Sequence, residues 1–519
     1  MSVVAPRARV FLLLAAVAVC VAPGGHGADT RARAADAPNV SEFEFHRDHV
    51  IGTSLDLCVV APDEPTAEAA ELTVLNEIER LRTILSTYDA TTEISKVNRT
   101  REPVPVSHEL IEVLRAYEQW QLKSGGAFHG QVGDLVRVWK EGERAGRVPE
   151  AVVLDRIAAD LKRPGFKLDT DARTATRLTD QPLNLNAVGK GYIIAKAADA
   201  VRKAHPAVTA LLINLGGDIL AFGSPPGGTG WAVGVQNPFT AFDNAAPVAG
   251  LRVTNQAVAT SGDYQRFYAI DGKRYSHIFD PRTGRPAEGV SSATVVANDN
   301  VTANALATTL CVLKPEEGLK LVAGVPGAAC LIITSDGKQI RSPGLKLFEL
   351  APARFALPQD KKDEKKADPW PVGFQVTVAV ELPKVEAKRY RKPYTAVWIE
   401  DDQGKAVKTL AVWGNAPKYL KTLRDWWKIG KGDGDLVKAV ARATRGPGKY
   451  DLAWDGKDDK GNPVSQGKYV VRVEVHREFG DDVTQRGEIE CKDKPAVVKL
   501  DKNTEAAETV VEFKKVGKK

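Results

Sequence analysis

A proline-flanked, charge-dense stretch after Leu350 divides the chain into two parts. Residues 351–370 read APARFALPQDKKDEKKADPW, with lysines interleaved with acidic residues. Such a segment cannot bury a hydrophobic core and is typical of a solvated linker. The sequence therefore predicts two domains, at 40–350 and 371–515, joined by a linker at 351–370.

Composition excludes several classes of protein. A hydrophobic share of 43% is that of a globular protein. The net charge of +6 is spread over 519 residues, whereas a nucleic-acid-binding protein needs a concentrated basic face. The five cysteines form no Cys-x-x-Cys pair and no Cys/His cluster at metal-ligand spacing, which excludes a zinc ribbon and a disulfide framework. Buried thiols are expected, and a Cys311–Cys330 disulfide stays open as the alternative.

The N-terminus has the pattern of a secretory signal peptide, predicted over residues 1–28. Arg7 and Arg9 precede the apolar run 10–22, which is followed by a proline, two glycines and small residues. We therefore expect an exported, periplasmic protein. No other stretch offers the ~20 apolar residues that a membrane span needs. Lipid attachment at Cys20 is disfavoured, because valine precedes this cysteine.

The two regions differ in their periodicity. In the first region, helical spacing of apolar residues predicts helices at 67–85, 110–124, 190–204 and 302–313, and strand-like runs lie at 210–214, 231–236 and 293–297. This mixture predicts an α+β fold. In the second region, short alternating runs at 374–380, 395–399 and 469–475 are separated by turn signals, which predicts a β-sandwich.

The acidic run that starts at Asp455 admits two interpretations. A calcium loop of the EF-hand type needs a glutamate at its twelfth position, where this chain has Gln466. A hairpin turn is therefore predicted.

Three segments of the first region have compositions suited to ligands but are not specific by themselves. Residues 214–218 read NLGGD, where paired glycines permit close backbone approach and Asp218 could reach a ribose or a metal. Residues 186–191 place small residues and a lysine at a predicted helix start, which suits an anion. Residues 260–264 offer hydroxyls and backbone N–H groups for a phosphate. Taken alone, residues 214–218 also fit an ordinary turn, residues 186–191 fit a plain helix start better than an anion site, and residues 260–264 are only a weak indication.

The segment YSHIFDPRTGRP at 275–286 is more specific. It places His277 and Asp280 on a turn fixed by proline and glycine. A histidine held rigidly beside a carboxylate suits general-base chemistry.

In order and spacing, these segments resemble the FAD:protein FMN transferases, the ApbE-type flavin transferases. The matching stretches are 49–53 (HVIGT), 87–89 (TYD), 93–98, 126–133, 185–192 (LNAVGKGY), 214–218, 231–235, 259–264, 277–286 (HIFDPRTGRP) and 303–310. The resemblance spans about 300 residues of the chain.

This resemblance implies transfer of FMN from FAD to a threonine hydroxyl of a partner protein, with release of AMP. It makes His277 the catalytic base. The residues that it implies for FAD are Ile51, Tyr88, Ala127, Phe128, His129, Asn184 and Lys190. Those that it implies for Mg²⁺ are the Ala187 carbonyl, the Asn304 side chain and the Thr308 hydroxyl. The implied partner is an exported or membrane-bound flavoprotein that carries an Asp-x-x-Ser/Thr-Gly-Ala-Thr motif.

The chain departs from the family pattern at several of these positions. The family usually has aspartate where this chain has His129, Asn184 and Asn304, and methionine where it has Ile51. A neutral amide weakens a magnesium site without removing its oxygen donor. Asp134, where proline is usual, is a candidate for restoring a negative charge. A non-catalytic FAD-binding module and an FAD pyrophosphatase in the same fold remain the alternatives.

The second region resembles a domain of unknown function that is often fused to such transferases. Its segment 454–473 is similar to the Ig-like sandwich of flagellar hook-assembly proteins. The predicted fold class is thus an α+β ApbE-like domain followed by an all-β Ig-like sandwich. The segment 438–444 lacks the aspartate and glycine of the acceptor motif. Thr444 is therefore not expected to carry flavin.

Overall fold

The computed structural model describes residues 40–240, 242–264, 266–350, 368–386, 391–414, 420–430, 441–442 and 445–516. The predicted signal peptide, Cys20, Thr444 and residues 351–367 of the predicted linker lie outside the described residues. The chain forms two compact units. The first comprises the described residues up to Val233 and Leu251–Glu349, and the second comprises Gly234–Gly250 and the described residues from Leu350 onwards. The domain boundaries given above remain predictions.

The first unit combines helices with a large sheet. Its helices are α1 Glu64–Leu85, α2 Glu93–Arg99, α3 His108–Lys123, α4 Gly133–Ala145, α5 Ala151–Leu161, α6 Asn186–Ala204, α7 Asn300–Val312 and α8 Pro315–Ala323, with a 3₁₀ turn at Pro343–Leu347. The strands up to that turn are β1 Ser41–Val50, β2 Thr53–Ala61, β3 Val104–Pro105, β4 Phe166–Asp169, β5 Thr174–Arg177, β6 Ala210–Leu215, β7 Asp218–Phe222, β8 Trp231–Val235, β9 Ala249–Val253, β10 Gln256–Gly262, β11 Phe267–Ile270, β12 Lys273–Ser276, β13 Phe279–Asp280, β14 Arg285–Pro286, β15 Val290–Ala297, β16 Ala329–Thr334 and β17 Gln339–Arg341.

The main sheet is antiparallel, with strand order β1-β2-β6-β7-β10-β15-β16-β17. Alternate residues of β2, such as Leu55, Leu57 and Val59, are buried in the core that the sheet shares with the helices. Helix α6 contacts both α1 and α7. The predicted α+β fold of this region is confirmed, and the sheet and helices together position the site described below.

All four predicted helices are present, and each begins two to four residues before its predicted start. Helix α1 starts at Glu64, where Asp63 accepts a hydrogen bond from the backbone N–H of Thr66 and a proline occupies the first turn. The missed first turns are polar or contain small residues, so hydrophobic spacing does not reveal them. The sequence does not predict helices α2, α4, α5 and α8.

The second unit consists mainly of two sheets. Its elements from residue 368 onwards are β18 Phe374–Leu382, β19 Tyr394–Asp401, β20 Ala406–Trp413, α9 Arg424–Gly430, β21 Ala441–Arg442, β22 Gly448–Trp454, β23 Gly467–His476, β24 Asp482–Cys491, β25 Ala496–Leu500 and β26 Thr509–Lys515. The sheets have the orders β22-β18-β26-β25 and β21-β20-β19-β23-β24. Buried residues of both sheets form one core, in which Val378, Val397 and Trp413 take part. The second unit is therefore sheet-rich, as predicted.

The acidic run after Trp454 forms a turn, as predicted. Asp458 Oδ1 accepts hydrogen bonds from the backbone N–H groups of Lys460 and Asn462, at 2.9 and 2.8 Å. The neighbouring carboxylate of Asp459 accepts from the backbone N–H of Thr409 at 3.1 Å. Both carboxylates accept hydrogen bonds from backbone N–H groups and so stabilise the loop, which agrees with the hairpin interpretation.

Among the described residues, Cys311, Cys330 and Cys491 are free thiols. The alternative of a Cys311–Cys330 disulfide is therefore not formed in this structure. Among the described residues, no helix is both long and apolar enough to cross a membrane.

Candidate active site

A cavity of about 290 Å³ lies in the first unit. Its walls come from the start of α6, the inner side of α7, the end of β10, the loop before α4 and the segment around β13. Its lining includes Ala127, Phe128, His129, Asn184, Asn186, Ala187, Lys190, Gly216, Asp218, Ser261, Arg266, His277, Asn304 and Thr308. Nine of the eleven predicted site residues therefore meet in one place.

Helices α6 and α7 approach each other closely beside the cavity because residue 191 is glycine. A Cβ atom at Gly191 would lie 2.7 Å from the Asn300 carbonyl oxygen and 2.9 Å from Asn304 Nδ2. No real Cβ fits at that distance, so the absence of a side chain allows this packing. The close approach places Ala187 and Lys190 of α6 opposite Asn304 and Thr308 of α7.

The start of α6 is held by the asparagine that precedes it. Asn184 Oδ1 accepts a hydrogen bond from the backbone N–H of Asn186 at 3.0 Å, and the backbone N–H of Asn184 donates to Gly130 at 2.6 Å. Asn184 thus organises the helix start locally. Backbone N–H groups at the beginning of a helix favour anionic ligands.

The predicted metal donors lie on the α6–α7 side of the cavity. Asn304 Nδ2 donates to the Asn300 carbonyl at 3.0 Å, which leaves the amide oxygen as the atom suited to a cation. The Thr308 hydroxyl lies 3.2 Å from the hydroxyl of Ser261 on β10. Together with the Ala187 carbonyl, these groups form an all-oxygen donor set, which is the set that hard cations such as Mg²⁺ prefer.

Lys190 pairs with Asp218 in the same cavity. Asp218 begins β7 after the Gly216–Gly217 turn, and its residue surface is only 4% exposed. The Lys190 ammonium contacts Asp218 Oδ2. Burial raises the pKa of the Asp218 carboxyl, and the neighbouring lysine opposes that rise. Asp218 is the one carboxylate among the described residues that line the cavity.

His277 presents one ring nitrogen to the cavity in a defined state. Its Nδ1 lies 2.9 Å from the Arg266 carbonyl oxygen. A carbonyl oxygen only accepts, so Nδ1 carries the hydrogen and Nε2 keeps its lone pair. Burial lowers the pKa of His277 below its usual value. The neutral imidazole, with a basic Nε2, is therefore the main form at pH 7.

His129 lines the cavity too, but both of its ring nitrogens are occupied. Nε2 lies 3.0 Å from the Leu161 carbonyl and must donate to it, while Nδ1 accepts from the backbone N–H of Gln131 at 3.0 Å. Burial lowers the pKa of His129 to about 4. This histidine is therefore an uncharged residue of the cavity lining, and neither of its ring nitrogens is available to a ligand.

The buried state of His129 predicts a pH-dependent stability. The folded pKa of about 4 lies below the unfolded value of ~6.5, so the stabilisation is complete above pH 6.5 and is lost as the pH falls towards 4. The loss is of the order of 3 kcal/mol. Urea midpoints of the wild type and His129→Gln should therefore differ more at pH 7 than at pH 4. An unchanged difference would show that His129 is not neutral in the folded state.

Two predicted FAD residues, Ile51 and Tyr88, do not line the cavity. Ile51 forms a two-residue turn with Gly52 between β1 and β2, and both residues have positive φ, at 43° and 81°. Tyr88 is 85% exposed, and its hydroxyl accepts a hydrogen bond from Asn186 Nδ2 at 3.1 Å. Because Asn186 lines the cavity, Tyr88 lies next to its wall.

Other sequence expectations need correction or addition. Asp134 does not restore a charge to the cavity, because it is in the first turn of α4 and pairs with Arg137 at 3.2 Å. Arg266 and Gly216 line the cavity and were not predicted as site residues. No local motif distinguishes Arg266, because its role depends on the position of the β11–β12 hairpin relative to His277.

A half-buried lysine, a helix start and a basic imidazole around one cavity are typical of enzymes that act on phosphorylated ligands. The comparison with protein families agrees with this class. The model of the ApbE family matches residues 51–332, and the chain belongs to this family. A second model, described as a predicted periplasmic protein of unknown function, matches residues 375–508.

Relatives with assigned names support the same assignment. An FAD:protein FMN transferase from Klebsiella pneumoniae is 32% identical over 275 residues, which cover 52% of this chain and 82% of the relative. Another FAD:protein FMN transferase, from Treponema pallidum, is 30% identical over 361 residues, which cover 66% of this chain and 96% of the relative.

Solved structures of the family share the fold. The ApbE protein from Thermotoga maritima superimposes with a TM-score of 0.54 at 29% identity, covering 60% of this chain and all of that one. The flavin transferase ApbE from Vibrio cholerae gives a TM-score of 0.52 at 26% identity, covering 60% and 99%. The first unit therefore has the ApbE-like flavin-transferase fold.

Proposed function

We propose that this protein transfers FMN from FAD to a threonine hydroxyl of an acceptor protein and releases AMP. Family membership supports flavin transfer as the activity. The observation that carries the mechanism is the imidazole of His277, whose unprotonated Nε2 is the ring nitrogen left to face a ligand in the cavity. The acceptor hydroxyl would enter beside this nitrogen.

The reaction is a displacement at phosphorus. The threonine oxygen forms a bond to the phosphorus on the riboflavin side of FAD, and the bond from that phosphorus to the bridging oxygen breaks. AMP leaves with the bridging oxygen, and FMN remains joined to threonine as a phosphoester. The hydroxyl proton moves to His277 Nε2, which is neutral and accepts it.

The chain's own residues also hold the diphosphate. The N–H groups at the start of α6 and the Lys190 ammonium supply positive potential on one side of the cavity. The apolar and aromatic residues Ala127 and Phe128 are buried at the wall, where the isoalloxazine ring needs an apolar surface. We propose that Tyr88 contacts FAD from the rim of the cavity, because its hydroxyl accepts a hydrogen bond from the lining residue Asn186. Ile51 would contact FAD from the turn between β1 and β2.

The oxygen donors described above fit a divalent cation chemically, and we propose Mg²⁺. Ala187, Asn304 and Thr308 would hold it. When bound, such a cation neutralises charge on the diphosphate oxygens. The donor set differs from a typical magnesium site in that none of these three groups is a carboxylate.

Changing Asn304 to aspartate is expected to strengthen cation binding. The substitution replaces a neutral oxygen with a charged one and leaves the size of the side chain unchanged. The Mg²⁺ concentration for half-maximal transfer should fall several-fold, and calorimetry with Mn²⁺ should show tighter binding. Thr308→Val provides the opposite test, because it removes a donor and should raise that concentration. If neither variant changes cation dependence, residues 304 and 308 are not ligands.

The acceptor is a flavoprotein, and we propose that it is exported or membrane-bound and carries an Asp-x-x-Ser/Thr-Gly-Ala-Thr motif. We propose a periplasmic location, since the second unit matches a family described as a predicted periplasmic protein. Its two sheets around one core favour an Ig-like sandwich.

One incubation separates the proposed activity from its alternatives. The protein is mixed with FAD, Mg²⁺ and an acceptor that carries the motif, and the products are analysed by gel fluorescence and chromatography. Flavin fluorescence on the acceptor band together with AMP supports transfer. Free FMN and AMP would indicate an FAD pyrophosphatase, and unchanged FAD would indicate a binding module.

A further inference from the structure

The charge balance of the cavity is unusual for a site that binds both a diphosphate and a divalent cation. Asp218 is the single carboxylate among its described lining residues, and Lys190 already neutralises it. The predicted donors on α6 and α7 are neutral. A cation that enters the cavity without FAD therefore meets no free negative charge there.

Asp218 is linked to the predicted cation donors through a short chain of hydrogen bonds. Asn300 Nδ2 donates to the carbonyl of Ile219, the residue after Asp218, at 2.9 Å. The carbonyl of Asn300 in turn accepts from Asn304 Nδ2 at 3.0 Å. The start of β7 and the inner side of α7 are thus fixed relative to each other. Lys190 reaches Asp218 from α6, which packs against both elements.

We infer that the Lys190 ammonium occupies the place of the divalent cation beside Asp218 in the FAD-free protein and neutralises this carboxylate. When FAD binds, Lys190 moves to the diphosphate. Asp218 then becomes the carboxylate ligand of the cation. The inference rests on the proposed function. It follows from the cost of leaving a buried carboxylate without a counter-charge. When Lys190 turns to the diphosphate, Asp218 needs another cation, and the Asn304 and Thr308 oxygens lie in the same cavity.

This arrangement makes FAD and the cation bind cooperatively. Magnesium sites in proteins commonly use one or two carboxylates together with the phosphates of the substrate. Here the carboxylate becomes available only with the diphosphate present. Coupling between two ligands is typically 5- to 150-fold in affinity, and we expect a value in this range.

The test measures Mn²⁺ binding to the full-length protein without FAD, by electron paramagnetic resonance. The wild type should bind weakly. Lys190→Met should bind Mn²⁺ at least tenfold more tightly, because it removes the Lys190 ammonium and leaves Asp218 free. The double variant Lys190→Met/Asp218→Asn should lose that gain. Lys196→Met is the matched control: Lys196 is in the same helix, pairs with Glu112 at 2.9 Å and does not line the cavity. This control should bind Mn²⁺ as the wild type does.

Thermal unfolding of the same variants covers the case in which Lys190→Met is unstable. The Asp218 carboxylate, left without a counter-charge in Lys190→Met, should lower the melting temperature of this variant. Adding Mn²⁺ should raise the melting temperature of Lys190→Met again but not that of the double variant. Equal Mn²⁺ affinity in Lys190→Met and the wild type would overturn the inference, as would a variant that Mn²⁺ does not stabilise. In either case Lys190 and Asp218 would form a structural pair. Transfer by the wild type is measured separately, so failure here leaves the proposed function intact.

Discussion

Replacing His277 with alanine is expected to slow FMN transfer by roughly 10²-fold or more, the usual scale for a general base. FAD binding should change little. The imidazole is held by the Arg266 carbonyl. In the proposed mechanism its Nε2 takes the proton of the acceptor hydroxyl, so removing it would affect the proton transfer and not the groups proposed to bind the diphosphate. Single-turnover transfer and FAD titration by fluorescence measure the two quantities independently.

A surface histidine provides the matched control for this experiment. His108 has a side chain that is 74% exposed and lies 3.3 Å from Glu112, away from the cavity lining. His108→Ala should retain both transfer and FAD binding. If His277→Ala lost affinity and transfer to the same degree, His277 would be a binding or structural residue and the base would be another group.

Gly191→Ala is expected to have the second large effect. The new Cβ would lie 2.7 Å from the Asn300 carbonyl oxygen, which belongs to the backbone and cannot turn away. Helices α6 and α7 must then separate, and forced overpacking of this kind costs about 1–3 kcal/mol. The shift also moves Lys190 relative to Asn304. We expect a lower melting temperature and at least a tenfold loss of transfer.

Gly189→Ala is the control for this substitution. It lies in the same helix and is buried, but its Cβ would meet only Leu185 Cβ, at 3.8 Å, which is an ordinary contact. Alanine also has a higher helix propensity than glycine. This variant should be at least as stable as the wild type and should retain transfer. A Gly191→Ala protein with unchanged stability and activity would show that the two helices do not need their close approach.

Much of the site could be predicted from sequence because the chemistry is concentrated in short segments. The turn at 275–286 and the helix start at 186–191 each bring several functional groups within a few residues. The resemblance to a family then placed Asn304 and Thr308, which lie more than a hundred residues from Lys190. Nine of the eleven predicted residues line the cavity.

The remaining features depend on tertiary packing that local sequence does not encode. Asp218 and Lys190 pair because β7 and α6 meet at the cavity, and Arg266 reaches it through its position beside His277. The resemblance predicts that His129 contacts FAD, but one of its two hydrogen bonds is with the carbonyl of Leu161, 32 residues away. Similarly, segment 234–250 groups with the second unit although it lies within the predicted first domain.

The exposed position of Tyr88 has the same origin. Aromatic residues are commonly buried, and the sequence gives no sign that this one lies at 85% exposure. Its hydrogen bond to Asn186 connects it to the start of α6, which the sequence separates from it by 98 residues. The position of Tyr88 next to the cavity wall therefore depends on tertiary packing and cannot be predicted from local sequence.

The most direct test of the proposed function is mass spectrometry of the acceptor after a single turnover with FAD. We expect an adduct with the mass of FMN less one water on the threonine of the acceptor motif, and one equivalent of AMP for each FMN bound. An acceptor with valine at that threonine should carry no adduct. Release of AMP together with free FMN, or an adduct on the valine-substituted acceptor, would contradict transfer to a threonine hydroxyl.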